Sequence, residues 1–345
     1  MKKLKKSSLL EKIDLEDERE KLEAGKWRNY GKAFIKDYRL YLMLIPIVVF
    51  FILWRYRPMI GLMLAFKNYS GLSKSLVKSI NMAHYRGLYF IKQLLITKDF
   101  WRAFRNTFVI SLQGLIYGFP IPIILALFFS EIKSPLYRSI TQILSYLPKF
   151  VSTVVITTII TMMVSSKSAI SDGGIIYQFL VSNGLADKST VILKETQYFR
   201  PIYHLSGIWQ GAGYGSIVYF ASIMSISPTN YEAAKMDGAN KLAQIRYVTL
   251  PSMASTLTIM LILRIGDMLQ VGYEKVLLLY NVNTYEVADV ISTFVLRSSV
   301  GDGDTVGSAA YSLATAADLF NSLIAMCLVL GANFISRRVS DTSLY

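Results

Sequence analysis

The chain contains one cysteine, Cys327, and two histidines, His84 and His204. A lone cysteine excludes an intrachain disulfide, and its place in an apolar run gives it the role of a small packing residue. Two histidines so far apart do not make a histidine-based metal site, and no Ser-His-Asp or Cys-His arrangement can be argued from them. No phosphate-cradling GxxxxGK(S/T) segment is present, so the chain shows no nucleotide site of its own. The glycine-rich pieces GAGYG (211–215) and GDGD (301–304) do not open a helix after a strand and read as packing and turn residues. Charge is scarce as well, at 17% of 345 residues, against 53% hydrophobic.

What is abundant is apolar sequence, and it is clumped. A soluble protein spreads its apolar residues by amphipathic period. Here runs such as Asn106–Ser130 and Pro201–Tyr231 stay free of that pattern over the roughly 20 residues that a helix needs to cross a hydrocarbon layer. The net charge of +14 does not point to nucleic acid. The basic residues gather at the borders of the apolar runs, where the positive-inside rule puts them.

Taken in order, residues 1–39 form a charged tail (KKLKK, then EKIDLEDERE), too long and polar for a signal peptide. The expectation is a cytosolic tail, partly helical over Leu9–Leu22 and in contact with the lipid surface. Residues 40–102 hold a first span, Leu40–Trp54 extended by RYRPMIGLMLAF, and an external segment. Residues 103–336 form the membrane core, and 337–345 a cytosolic C-terminal tail. Within the core a second span, Asn106–Phe129, is kinked at Pro120 and Pro122. A basic turn, Glu131–Ser139, precedes a third span within Ile140–Val164, broken at Pro148 and Lys149. The fourth span is Ile202–Met224, the fifth runs from Met253 to about Leu277, and the sixth is Ala309–Phe334. The expected fold is an all-α integral membrane protein of six transmembrane helices with both termini inside.

Between spans four and five lies a polar stretch, Ser225–Ser252, of helix–turn–helix character. Ser227 is a good N-cap and Pro228 a good first helical residue. Gly238 stands where a first helix would close in the left-handed conformation. Asn240 caps a second helix over Lys241–Leu250, which Pro251 stops or kinks. The result is two short helices at the membrane surface, of a kind that docks into another protein's groove.

Glu232-Ala233-Ala234, then Asp237-Gly238-Ala239, then Ile245 and Leu250-Pro251 match in order and spacing the EAA loop of ABC importer permeases. The pieces RPMIGLMLAFKNYS, DFWRAFRNTF, LPKFVS, GYEKVLLLYN, TYEVADVISTFVLR, SLATAADLFNS and LGANFISRR extend the resemblance along nearly the whole chain, to the polysaccharide-type branch of carbohydrate importer permeases. The resemblance implies the type I importer architecture and a location in the bacterial plasma membrane. It also implies a second related permease, two copies of an ABC ATPase that uses ATP and Mg, and an extracellular lipoprotein or periplasmic sugar-binding protein. This chain would bind no cofactor and hydrolyse nothing itself. ATP would close the ATPase dimer, and Glu232–Gly238, with Leu250 and Pro251 as the rigid exit into span five, would pass that movement to the spans. Glu232 could pair with a basic residue of the partner's groove or complement its own helix start.

A sugar path needs aromatic faces and hydrogen-bonding groups. Trp209, Gln210, Tyr214 and Tyr219 in span four fit by type, and packing between helices is the alternative for the aromatics. Gln210 must find a partner inside the membrane. Arg264 and Asp267 are three apart and can pair on one helix face; with Gln270 and Asp318 they are further path candidates, Asp318 having the second permease as an alternative neighbour. Lys149, where the resemblance leads one to expect another polar or aromatic residue, often histidine, would favour an acidic, uronate-containing sugar or snorkel to the interface. Two readings from other classes are an ion-coupled sugar carrier using Asp267 and Asp318 and a membrane-embedded glycan-processing enzyme using Asp302 and Asp304. The aspartates of the second sit in a glycine tip that suits a turn better than positioned acid–base chemistry.

Overall fold

Lipid-facing helix is the first element built. The computed structural model describes residues 36–69, 76–167, 172–300 and 308–339, and the chain divides into two units between Gly61 and Leu62. In the first unit α1 (Tyr38–Phe51) continues through a π-turn, Ile52–Tyr56, into a 3-10 run that begins at Arg57. No residue of α1 is buried. A helix apolar all round with no buried residue is one whose solvent is hydrocarbon. Most of the charged tail, the glycine–aspartate tip with Asp302 and Asp304, and the last six residues lie outside the described residues.

The second unit is helical apart from a two-residue antiparallel pair, β1 (Lys67–Asn68) with β2 (His84–Tyr85). Its first helices are α2 (Leu76–Met82), α3 (Tyr89–Ile96), α4 (Lys98–Gly118) and α5 (Pro120–Glu131). They are followed by α6 (Pro135–Tyr146), α7 (Thr153–Val164), α8 (Ile175–Ser182) and α9 (Thr196–Met224). Next come α10 (Pro228–Met236), α11 (Lys241–Gln244), α12 (Leu250–Ser252), α13 (Ala254–Gly266) and α14 (Tyr273–Leu279). The last are α15 (Tyr285–Ala288), α16 (Ile291–Val300) and α17 (Ser308–Val339).

Among the described residues three helical runs are long and apolar enough to cross a membrane, Tyr38–Phe66, Lys98–Glu131 and Tyr311–Arg338. Two bent pairs raise the number to five if each is one span. One is Pro135–Phe150 with Thr153–Val164, bent by 99° at the expected LPKF break; the other is Lys241–Ser252 with Ala254–Gly266, bent by 67°. The break in the first pair has a local cause. Pro148 supplies no backbone N–H, and Ser152 then starts α7 afresh, its hydroxyl accepting from the Val155 N–H at 3.3 Å. The fifth span is shorter than its apolar sequence suggests. Helix α13 stops at Gly266 with Asp267 as its C-cap, and α14 resumes only after Gly272.

Small residues set the close approaches. Ala316 and Ala317 of α17 are buried and share a core cluster with Ile291 and Phe294 of α16, small residues that let the two helices approach closely. At Gly213 of α9 an added Cβ would stand 2.0 Å from the Ser145 carbonyl oxygen. That neighbour is backbone and cannot swing away. Gly213→Ala is therefore expected to lower stability by about 1–3 kcal/mol, read as a lower unfolding temperature of the purified protein; an unchanged temperature would show that α6 and α9 can part freely.

Segment 281–300 is tied to α4 by a buried polar cluster. Asp289 has no exposed surface and takes two bonds from Arg297, at 3.1 and 3.0 Å. It also accepts from Thr293 Oγ1 at 2.8 Å, and Arg102 of α4 approaches it at 3.6 Å. Both guanidiniums face the Tyr285 ring, and Arg297 also donates to the Tyr285 hydroxyl. Burial, above the other effects, pushes that hydroxyl up to about 12. Asn106 of α4 donates to the Glu286 and Asp289 carbonyls at 2.8 and 3.0 Å, and Arg200 at the start of α9 donates to Asn106 Oδ1 at 3.2 Å. Burial and the neighbouring Arg105 pull Arg200 below its usual value.

Candidate functional site

Helix α9 lines an open groove of about 810 Å³. It is 29 residues long, roughly 44 Å at 1.5 Å per residue, and its groove face runs from Tyr203 and His204 through Gly207, Gly211 and Gly215 to Tyr219. Facing it on α4 are Ser111, Gly114 and Gly118. Residues without side-chain bulk at helical spacing on two neighbouring helices leave the space between them. The break between α6 and α7 closes one side with Lys149 and Thr153, and α13 with the turn into α14 closes another with Arg264, Asp267, Gln270, Glu274 and Lys275.

The groove thus brings together Lys149, Gln210, Tyr214, Tyr219, Arg264, Asp267 and Gln270. Gln210 finds its partner in the break itself, donating from Nε2 to the Val151 carbonyl at 3.3 Å. Phe150 meets Tyr214 edge to face at 6.1 Å. The remaining two candidates are elsewhere. Trp209 points away from the groove and is 49% exposed, because it lies between the groove-facing positions of the helical period. Asp318 of α17 is exposed and does not line the groove, so the aspartate pair that an ion-coupled carrier would use is not brought into one cavity. Arg264 and Asp267 form no ion pair: Asp267 caps the helix end, while the Arg264 guanidinium reaches Gly118, with a nitrogen 3.6 Å from the place of a Cβ on that glycine. Lys149, Arg264 and Lys275 all reach the groove without an ion-pair partner among the described residues. Tyr203, His204 and Lys275 were not evident from sequence. His204 meets Gln113 Oε1 at 3.2 Å, and Lys275 donates to the Tyr203 carbonyl at 2.8 Å.

Beyond the last turn of α9 the chain enters the polar helix pair. Ser227 occupies the N-cap of α10, but its hydroxyl turns to Thr229 Oγ1 at 2.7 Å rather than to the backbone. Glu232 lies past the first turn, too far along to complement the helix start, and is exposed with no ion pair among the described residues. Helix α10 ends in a Schellman closure: the Gly238 N–H bonds the Lys235 carbonyl at 3.0 Å and the Ala239 N–H the Ala234 carbonyl at 2.9 Å. Gly238 has φ +80, which glycine adopts without steric cost. Asn240 caps the second helix, accepting from the Ala243 N–H at 2.9 Å.

That second helix reaches Pro251 through a π-turn, Ile245–Thr249, and bends only after Ser252. The wider turn keeps the carbonyls clear of the proline ring, which an ordinary turn would set against residue 247. Gln244 donates to the Ala239 carbonyl at 2.9 Å and Tyr231 meets Thr249 Oγ1 at 3.1 Å, so the two short helices form one rigid piece. Lys241 reaches Glu131 at the end of α5 at 2.6 Å. The outer surface of the pair is bare: Glu232, Ala233, Asp237 and Gly238 are exposed, and Met236 is 89% exposed. Ala234, Ala239 and Leu250 are half-buried and Pro251 is exposed.

Residues 118–271, which span α5 to the turn before α14, match the family described as binding-protein-dependent transport system inner membrane component. Protein LplB of Bacillus subtilis (strain 168) is 34% identical over 327 residues, covering 94% of this chain and 96% of that protein. The polygalacturonan/rhamnogalacturonan transport system permease protein YteP of the same organism is 34% identical over 311 residues, with 90% and 91% covered. Among solved structures, a chain of a bacterial ABC transporter involved in the import of the acidic polysaccharide alginate superposes with TM-score 0.76 at 38% identity, over 90% of this chain and 98% of that one. A chain of a bacterial alginate ABC transporter in complex with an alginate pentasaccharide-bound periplasmic protein gives TM-score 0.78 at 39% identity, over 91% and 99%. With this coverage of the full length, a groove among its helices and an exposed helix pair where the sequence resemblance puts one, the chain belongs to the family of binding-protein-dependent transport system inner membrane components.

Proposed function

We propose that this chain is a permease subunit of an ATP-driven importer of oligosaccharides, acidic ones among them. A member of this family is a membrane transport subunit and not an enzyme. The observation that carries the reading is the continuity of α9. The helix that lines the groove from Tyr203 to Tyr219 ends at Met224, and the bare helix pair follows directly. A push on that pair reaches the groove wall through the short turn Ser225–Ser227 alone. Three cations without carboxylate partners along the groove, Lys149, Arg264 and Lys275, suit a sugar that carries negative charge. Polygalacturonan, rhamnogalacturonan and alginate, in the names of the relatives, are polymers of that kind.

In this reading the membrane topology has six spans with both ends inside. The fourth span is α9, which carries polar residues such as Gln210 on its groove face and is added to the five runs and bent pairs above. A second homologous permease completes the path, two copies of an ABC ATPase use ATP and Mg, and an extracellular lipoprotein or periplasmic binding protein delivers the sugar. Glu232, Ala233, Ala234, Asp237, Gly238 and Ala239 form the docking face, and Leu250 and Pro251 lead into α13. Purification of the tagged chain from its native membrane in mild detergent tests the assembly. An ATPase and a second permease are expected to co-purify; recovery of the chain alone would sink the proposal.

A further inference from the structure

We infer that Lys275 is an anion subsite of the groove, taking one carboxylate of an acidic sugar unit; this rests on the importer reading above. Lys275 differs from the other two groove cations in being buried. Lys149 and Arg264 are exposed, whereas Lys275 is 9% exposed. An ammonium removed from water needs compensation by charge or hydrogen bonds. Of its three donors one goes to the Tyr203 carbonyl at 2.8 Å, and the Tyr203 ring lies 4.8 Å from Nζ. Both contacts orient the group, and neither neutralises it. Glu274, next in sequence and also on the groove wall, forms no ion pair with it, nor does Asp267.

The space in front of Nζ is kept open by Gly207, where a Cβ would stand 3.3 Å from it. A second group waits on the facing helix. Ser111 is buried, lines the same groove, and its hydroxyl has no hydrogen-bond partner among the described residues. Its neighbour Ile110 and Lys275's neighbour Val276 belong to one core cluster, which sets the two backbone stretches side by side. An ammonium lacking a counter-charge and a hydroxyl lacking an acceptor call for the same complement, a small anionic group with several lone pairs. A sugar carboxylate provides it.

The test uses the assembled importer in nanodiscs without its binding protein. Equilibrium binding is measured for a labelled galacturonate trimer and for the same trimer with its carboxyl groups reduced to alcohols. Lys275→Met is expected to weaken the acidic trimer about tenfold, the worth of one charge-assisted bond, and to leave the neutral trimer unchanged. Lys275→Arg should keep most of the acidic preference. Gly207→Ala, which crowds Nζ without removing charge, provides a second reading if the methionine variant does not assemble, and should also weaken the acidic trimer selectively. An unchanged ratio between the trimers overturns the inference. So does an equal loss of both, which marks Lys275 as a packing residue or as the partner of a carboxylate on another subunit. A wild-type complex that binds neither trimer overturns it too. The importer reading is tested separately, and falls if the complete assembly, with binding protein and ATP, takes up no oligosaccharide.

Discussion

Replacing Gly238 by tryptophan is expected to abolish ATP-driven uptake while the chain remains inserted and folded. Two effects act at this position. The backbone has φ +80, and a residue with a Cβ in that region costs roughly 1–2 kcal/mol, enough by itself to loosen the Schellman closure that fixes α10 to α11. Among the described residues nothing lies within 4 Å of the Cβ position, so the indole projects outward from the proposed docking face into the space a partner would occupy. Gly238→Ala separates the effects. It carries the backbone cost without the bulk, and should reduce uptake partially, by about tenfold at most. Uptake and ATP hydrolysis stimulated by the loaded binding protein are the readouts. Wild-type rates in the tryptophan variant would show that energy enters elsewhere.

The second large effect is on stability. Asp289→Ala removes the carboxylate that Arg297 grips with two bonds and that Arg102 and Thr293 also approach. Arg297 is then left partly buried without a counter-charge, whereas Arg102 keeps Asp99 at 3.1 Å, and losing one member of a buried pair costs about 3–5 kcal/mol. Burial pulls Arg297 down, but its bonds to Asp289 more than offset this and hold it above its usual value. The cluster joins α4, α16 and the start of α9, so its loss should lower the unfolding temperature of the detergent-purified protein by several degrees and raise protease access to segment 281–300. Asp289→Asn, which keeps the shape and one acceptor, should fall between. A wild-type unfolding temperature for the alanine variant would show that the cluster is ornamental to the fold.

The sequence shows the spans because lipid imposes a simple rule, apolar helix of sufficient length, and breaks it only at visible punctuation. The LPKF break and the Gly238 closure were both legible for that reason: Pro148 lacks a donor and Gly238 tolerates positive φ. The end of span five was not legible. Residues 268–277 read on as apolar sequence, whereas α14 packs as a separate helix against α7, α9 and α16. In the groove, Gln210 could be placed because an amide in a membrane must find a partner. Trp209 could not, since type alone does not say which face of α9 is turned inward. A usable signal was present in Gly207, Gly211 and Gly215, which recur at every fourth position and mark the open face, with His204 on the same side. Lys275 was hidden because its role depends on what is not beside it, a counter-charge, and sequence spacing does not show that. The Arg264–Asp267 spacing pointed to a pair, but the helix ends between them and the Arg264 guanidinium goes to Gly118.

Reconstitution tests the central claim most directly. The chain, its second permease, the ATPase and the loaded binding protein are placed in proteoliposomes, with ATP and Mg on the side of the helix pair and a labelled galacturonate oligomer on the other. Accumulation of the intact oligomer that requires ATP and disappears with Gly238→Trp is the expected result. Accumulation driven equally well by an ion gradient with no ATP, or release of cleaved sugar, would contradict it.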